Sequence, residues 1–184
     1  TSIVDVYTKI DSIKYENIHT LDNSISFTGS KIRDSTNVLA MFTLNSEKQY
    51  VDGFSTEHLL AEAIWNNEHI DVGLDFDQKE RDNLIRLKAE IDFLADSTKI
   101  KILPSRIRAI AKEWAINQQN YTLISGHEIK IHHLEVVHEN ESMMLDGRIS
   151  NLPEEKLLFT LHNLNLDILN TFSKEFFSGT LNGH

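Results

Sequence analysis

Histidine is the residue type that most directly suggests chemistry in this sequence, because four histidines fall within 127–138: His127, His132, His133 and His138. Neutral imidazole is a common ligand of metal ions. On one strand, however, His132 and His138 would lie ~20 Å apart at about 3.3 Å per residue, and His133 would point to the opposite face. A shared metal would therefore need a sharp bend or a cross-strand partner. We predict surface histidines, with no metal site and no cofactor.

Two pairs of carboxylates raise the question of acid–base catalysis: Glu139 with Glu141, and Glu154 with Glu155. Both pairs fall in predicted turns among solvated residues, and no pocket is predicted around them. The sequence also has no cysteine, no glycine-rich phosphate loop and no nucleophile elbow. We predict that the protein is not an enzyme.

The two tryptophans, Trp65 and Trp114, are large enough to form a ligand cage or to lie at a membrane interface. Tryptophan is nevertheless well buried on average in folded domains. We predict that both side chains fill space in the core.

Composition narrows the choice of partner. The chain has 184 residues, of which 28 are acidic and 18 basic, and its formal net charge is −10. Because phosphate binding requires concentrated lysine and arginine, we do not expect nucleic acid as a partner. No apolar run approaches the ~20 residues that a membrane-spanning helix needs.

A strict alternation over 83–94 is the clearest structural signal. Apolar side chains at every second position are separated by charged ones, and because successive side chains of a strand point to opposite sides, the apolar ones form one stripe. These apolar residues are Ile85, Leu87, Ala89, Ile91 and Phe93. Similar alternation recurs along the chain, so we predict a mainly β protein built on an elongated antiparallel sheet.

Two stretches break the alternation and predict one or two short helices. Leu59, Leu60, Ala63 and Ile64 have helical spacing within 55–65, and 105–111 could form a helical turn. A turn is expected at Gly29 and a bent strand or short helix over 164–172. By contrast, Gly147 continues an alternating pattern, so we place it inside a strand and not in a hairpin turn.

The stretch from Trp114 to Gly183 resembles the repeating unit of a known family. The matching residues, in order, are Trp114, Ile116, Asn120, Ile129, Ile131, Leu145, Gly147, Ile149, Ser150, Pro153, Leu157, Asn163, Leu166, Gly179, Asn182 and Gly183. Their order is similar to that in TamB, the translocation and assembly module subunit, in its Bacteroidetes-like branch. The strand-rich region before Trp114 fits this pattern more loosely.

The resemblance implies that residues 1–184 are a single middle segment of a much larger AsmA-like, bridge-like lipid transfer protein. Such proteins are anchored in the inner membrane and cross the periplasm as a sheet folded over an apolar groove, the β-taco. They work with an outer-membrane assembly barrel, and they support phospholipid transport and outer-membrane protein assembly. The resemblance therefore implies a location in the cell envelope and an acyl lipid as partner.

Alternating strands supply candidate residues for the lining of such a groove. These candidates are Ile85, Leu87, Ala89, Ile91, Phe93, Ile100, Ile102, Ile129, Ile131, Leu145, Ile149, Leu157, Phe159 and Leu161. The same stripes are equally expected of a sealed sandwich core. In that alternative, the chain is a structural or interaction module whose sheet edges dock neighbouring repeats or client β-strands.

Overall fold

The fold is a single antiparallel sheet. A computed structural model describes residues 2–32, 37–51, 54–78, 82–109, 111–152, 154–165 and 180–183. Within these residues, fourteen strands form one sheet. The strands, β1 to β14 in chain order, are Ser2–Tyr15, Ile18–Lys31, Val38–Val51, Phe54–Asn66, His69–Gln78, Asn83–Phe93, Thr98–Ile102, Arg106–Ala109, Lys112–Ile116, Tyr121–Ser125, Glu128–His138, Glu141–Ile149, Leu157–Asn165 and Thr180–Gly183. The predicted fold class, a mainly β chain on an elongated antiparallel sheet, is confirmed.

The strands follow one another as an up-and-down meander, with one local variation. Strands β7 and β8 both pair with β6, and β9 and β10 both pair with β11. Each of these two pairs is therefore one strand track with a break in it. Pro104 lies in the first break, where its missing N–H removes a ladder hydrogen bond.

The prediction of short helices is wrong in the described residues. The stretch 55–65 lies inside β4, which pairs with β3 on one side and β5 on the other. The helical spacing has a local cause, because His58 has a φ of 53° and the ladder between β4 and β5 shifts register between Glu57 and Leu60. Two adjacent leucines in this irregular stretch imitate helical periodicity.

Four smaller predictions have different outcomes. The stretch 105–111 contains β8 and no helical turn among its described residues. Gly29 lies inside β2 and does not form a turn, whereas Gly147 lies inside β12 as predicted. Leu164 and Asn165 belong to β13, and the rest of the predicted bent strand or helix up to Phe172 lies outside the described residues.

A line of backbone irregularities crosses the first four strands at one level. The ladders omit Asp11, Asp22, Glu47 and His58, which lie at equivalent positions of β1, β2, β3 and β4. Asp22 and His58 have φ values of 52° and 53°, in the left-handed region that non-glycine residues rarely adopt. Their alignment interrupts the regular ladder at the same level in four neighbouring strands.

Little of the chain is buried. Its accessible surface is 12279 Å², whereas a compact monomer of its 21.1 kDa mass would expose about 9,000 Å². In the part of the chain that the structure describes, five apolar residues are buried, and no large side chain is fully enclosed. This large surface is what a single-layer sheet produces. The described residues also contain no helix with the length and apolar character to cross a bilayer.

Candidate functional site

The candidate site is the apolar face of the sheet, defined as the face that carries Ile85, Leu87, Ala89, Ile91 and Phe93 of β6. Residues directly opposite each other in an antiparallel ladder point to the same side of the sheet. The strand pairing therefore shows which residues share this face. The other side, which carries Arg86, Lys88, Glu90 and Asp92 of β6, is called the charged face.

The pairing places all fourteen predicted lining residues on the apolar face. One route runs from Ile91 to Ile100, then through Thr122 to Ile131 and through Gly147 to Leu157. The remaining predicted residues occupy the same face of these strands, at alternate positions. One extra residue of β11 between Ile131 and Leu134 shifts the register without moving the apolar side chains to the charged face.

A second route across the sheet gives the same assignment. Ile85 pairs with Ile107, which pairs with Trp114. Two residues further along β9, Ile116 pairs with Val136 of β11. The two routes meet on β11 and assign the same side of that strand to the apolar face. The apolar face is thus continuous from β6 to β13.

The apolar face also extends into strands that the predicted lining did not include. Phe27, Phe42, Ala63 and Val72 stand opposite one another in β2 to β5, and Val72 stands opposite Ala89 of β6. Alternation was visible in these segments of the sequence. Their common face became clear only from the register, because sequence alternation does not indicate which side each strand turns toward its neighbours.

The apolar face is open to different degrees along the sheet. Of the predicted lining, Ala89 is buried, whereas Phe159 is 49% and Phe93 40% exposed. Ile149 and Leu157 are also exposed, and the other nine are half-buried. Within the described residues, no second sheet covers this face. A surface of this kind is able to receive an apolar guest along much of its length.

Polar side chains are buried in β2 and β3, close to the level at which the ladders are interrupted. Asn23, Ser46 and Gln49 are only 3%, 3% and 5% exposed. Asn23 and Ser46 donate to backbone carbonyls at 3.0 and 3.2 Å, while Gln49 donates to the carbonyl of Ser46 at 2.7 Å and accepts from Thr56 at 2.9 Å. These hydrogen bonds compensate the burial of the amides and hydroxyl.

The charged face carries ion pairs between neighbouring strands. Arg86 lies 3.2 Å from Asp75 and 2.9 Å from Asp77. Arg148 lies 3.3 Å from both Glu128 and Glu155. These side chains are partly exposed, so each pair contributes little to stability. Their main consequence is a hydrated exterior opposite the apolar face.

The charged face also carries exposed apolar side chains in β3. Leu39 and Met41 point away from Ala40 and Phe42 and are about half exposed.

The histidines of 127–138 do not come together as a metal cluster among the described residues. The rings of His132 and His133 are 6.2 Å apart, and His133 lies 3.4 Å from Glu135. His138 pairs with the carbonyl of Glu113 at 2.8 Å, and its ring lies against Trp114. The group with suitable geometry for a metal is elsewhere, at His69, Asp71 and Glu90 on the charged face.

Of the remaining predictions for single residues, some are confirmed and others are wrong. Trp114 is buried as expected, whereas Trp65 is 42% exposed and does not fill a core. Glu139 lies exposed in a turn, but Glu141 is buried and accepts from Lys112 at 2.6 and 2.8 Å. The prediction of a solvated Glu141 is therefore wrong, because β9 brings a lysine against it.

Asn120 has a structural role that sequence reasoning did not identify. It is 2% exposed, and its side-chain amide makes two hydrogen bonds with the backbone of Ile102, each 2.9 Å long. The side chain thereby takes the place of a ladder residue at the break between β9 and β10. The only sequence signal for it was its position in the motif that resembles TamB.

Comparisons with models of protein families, with curated proteins and with solved structures each gave no match for this chain. Of the residues that carry the resemblance, Pro153, Leu166 and Gly179 lie outside the described residues. Function is therefore inferred from the geometry of the apolar face.

Proposed function

We propose that the apolar face holds or conducts the acyl chains of lipids. The observation that carries this proposal is the open, continuous stripe of aliphatic and aromatic side chains from β6 to β13, backed by a charged face. An acyl chain lying on this stripe would remove its own surface and that of the protein from water. Each buried methylene contributes about 0.8 kcal/mol.

The uniform chemistry of the stripe favours conduction over tight binding at one point. Ile70, Ile91 and Ile100 present similar branched aliphatic surfaces on the successive strands β5, β6 and β7. A chain that moves from one to the next exchanges equivalent contacts, so no deep minimum traps it. This process needs positioning and exclusion of water, and it needs no catalytic residue.

The resemblance to TamB supports a wider form of the proposal. In that form, the chain is a segment of a periplasm-spanning bridge in the cell envelope, anchored in the inner membrane. The bridge works with an outer-membrane assembly barrel, carries phospholipid between the membranes and supports outer-membrane protein assembly. Experiments on the isolated chain test the part of this proposal that concerns the apolar face.

Native mass spectrometry of the purified chain, with lipid extraction, tests the proposal. We expect phospholipid or fatty acid to copurify in a defined ratio. Replacing Ile91 by Asp should remove the bound lipid, because a carboxylate on the stripe disfavours an apolar guest. Phe159→Asp should do the same with less risk to folding, since Phe159 is 49% exposed.

Met41→Asp is the matched control because Met41 is 51% exposed on the charged face. This variant should keep its lipid. Circular dichroism should show strand content equal to that of the unchanged protein in each variant that is compared. A lipid-free protein, or equal lipid loss from Met41→Asp and Phe159→Asp, would contradict the proposal.

A second candidate function rests on the edge strand β1. Its fourteen residues pair only with β2 in the part of the chain that the structure describes, and Ile3 and Tyr7 are 66% and 64% exposed. A strand of this length with one unpaired edge is a template for an added strand. Under this alternative, proline at Val6 would abolish binding of a client β-strand while leaving lipid uptake unchanged.

A further inference from the structure

Four side chains form a compact square on the charged face, away from the proposed lipid surface. His69 and Asp71 are separated by one residue on β5, and the ladder places Asp92 opposite His69 and Glu90 opposite Asp71. Alternate residues of a strand share a face, so all four side chains project to the same side. The square includes histidine, which distinguishes it from an ordinary patch of surface carboxylates.

The two ring nitrogens of His69 have different surroundings. Nδ1 lies 2.6 Å from Oδ1 of Asp92, and Nε2 lies 3.3 Å from Oδ1 of Asp71. Histidines that bind metals commonly donate their other ring N–H to a carboxylate, which fixes the tautomer and the ring orientation. Asp92 is positioned for that role. The lone pair of Nε2 would then point toward the other two carboxylates.

We propose that His69, Asp71 and Glu90 bind a divalent transition metal ion such as Zn²⁺, with Asp92 as the residue that positions the histidine. One atom from each of the three ligands lies within 4.8 Å of the others. A ligand set of one imidazole nitrogen and two carboxylate oxygens suits zinc and neighbouring transition metals better than calcium, which takes six or more oxygens.

The residues around the three ligands determine the expected affinity for the metal ion. The carboxylates of Asp71, Glu90 and Asp92 would more than neutralise a divalent ion, but Lys99 and Lys101 stand opposite Asp92 and Glu90 on β7. The side chains of His69 and Asp71 are 37% and 57% exposed. Water is therefore able to complete the coordination shell. These features favour a reversible site over a permanently occupied structural one.

Isothermal titration calorimetry with zinc chloride on the metal-free full chain tests the proposal. We expect His69→Ala to bind one ion per chain fewer than the unchanged protein. Asp92→Asn should keep the site but weaken it about 10- to 100-fold, the usual effect of losing an outer-shell partner. Circular dichroism of each variant would verify that the sheet is intact.

His127→Ala is the control, because His127 is exposed in the turn between β10 and β11. It should bind as many ions as the unchanged protein. Equal zinc binding by the unchanged protein and His69→Ala would overturn the proposal, and so would an unchanged protein that binds no zinc. In either case, the square would be an ion-pair cluster that stabilises the charged face.

Discussion

The side chain of Asn120 pairs with Ile102 as a backbone strand would. Oδ1 accepts from the Ile102 N–H and Nδ2 donates to the Ile102 carbonyl, both at 2.9 Å. Asn120→Ala would leave both backbone groups without these partners in a buried place. We expect a loss of about 2–4 kcal/mol in the free energy of unfolding, since each unsatisfied group costs about 1–3 kcal/mol. Urea denaturation followed by circular dichroism would measure it.

Gln118 provides the control for that experiment, because it is exposed in the same connection between β9 and β10. Gln118→Ala should change the free energy of unfolding by less than about 0.5 kcal/mol. Equal effects of the two substitutions would show that Asn120 does not hold the interrupted strands together.

Gly147 should not tolerate a side chain. It has a φ of 123°, and an added Cβ would clash with the carbonyl oxygen of Lys156. We expect Gly147→Ala to destabilise the protein by about 1–3 kcal/mol through backbone strain alone, with the clash adding to it. Gly73→Ala is the matched control, since nothing lies within 4 Å of its added Cβ. That change should be neutral or stabilising by about 0.5 kcal/mol.

Lys112 should stabilise the folded protein as long as Glu141 is present to pair with it. Glu141 is 8% exposed and its oxygens lie 2.6 and 2.8 Å from Lys112 Nζ. We expect Lys112→Met to destabilise the protein by about 2–3 kcal/mol, because it leaves a buried carboxylate without its charged partner. The double variant with Glu141→Leu should recover part of the loss. A double-mutant cycle with no coupling would show that the pair is only a surface contact.

His69 should titrate above its usual range when metal is absent. The hydrogen bonds that His69 donates to Asp92 and, with a smaller effect, to Asp71 raise its pKa above 6.5. NMR titration in the presence of a chelator would measure this pKa, and Asp92→Asn should lower it. Because the folded pKa is the higher one, this interaction stabilises the protein fully below pH 6.5, and its contribution disappears as the pH rises through the folded pKa. An unchanged pKa in Asp92→Asn would contradict the assignment.

Sequence periodicity predicted the strands well because the side-chain period of a strand is short and survives in any sheet. It failed at Leu59 and Leu60, where the irregular backbone beside His58 brings two apolar residues together and imitates a helix. The ladder partners of β4 on both sides decide its conformation, and those partners are distant in sequence.

Locating the two candidate sites depends on the sequence pattern in one case and on the strand register in the other. Ile91 was recognisable as part of an apolar stripe, and the alternation of its own strand was enough for that. His69 and Glu90 come from different strands, and their proximity depends on the register between β5 and β6. A two-residue shift in that register would keep both apolar stripes on the same face, but it would bring different side chains beside His69 and Asp71. The alternation within each strand does not distinguish these registers.

The meander also determines how readily the protein folds. Almost every strand finds its partner in the segment just before or just after it, so closing each ladder requires only a short loop. Proteins with such local pairing have low contact order, and they fold faster than sheets assembled from distant segments. The sheet is therefore able to grow hairpin by hairpin, with each finished strand serving as the template for the next.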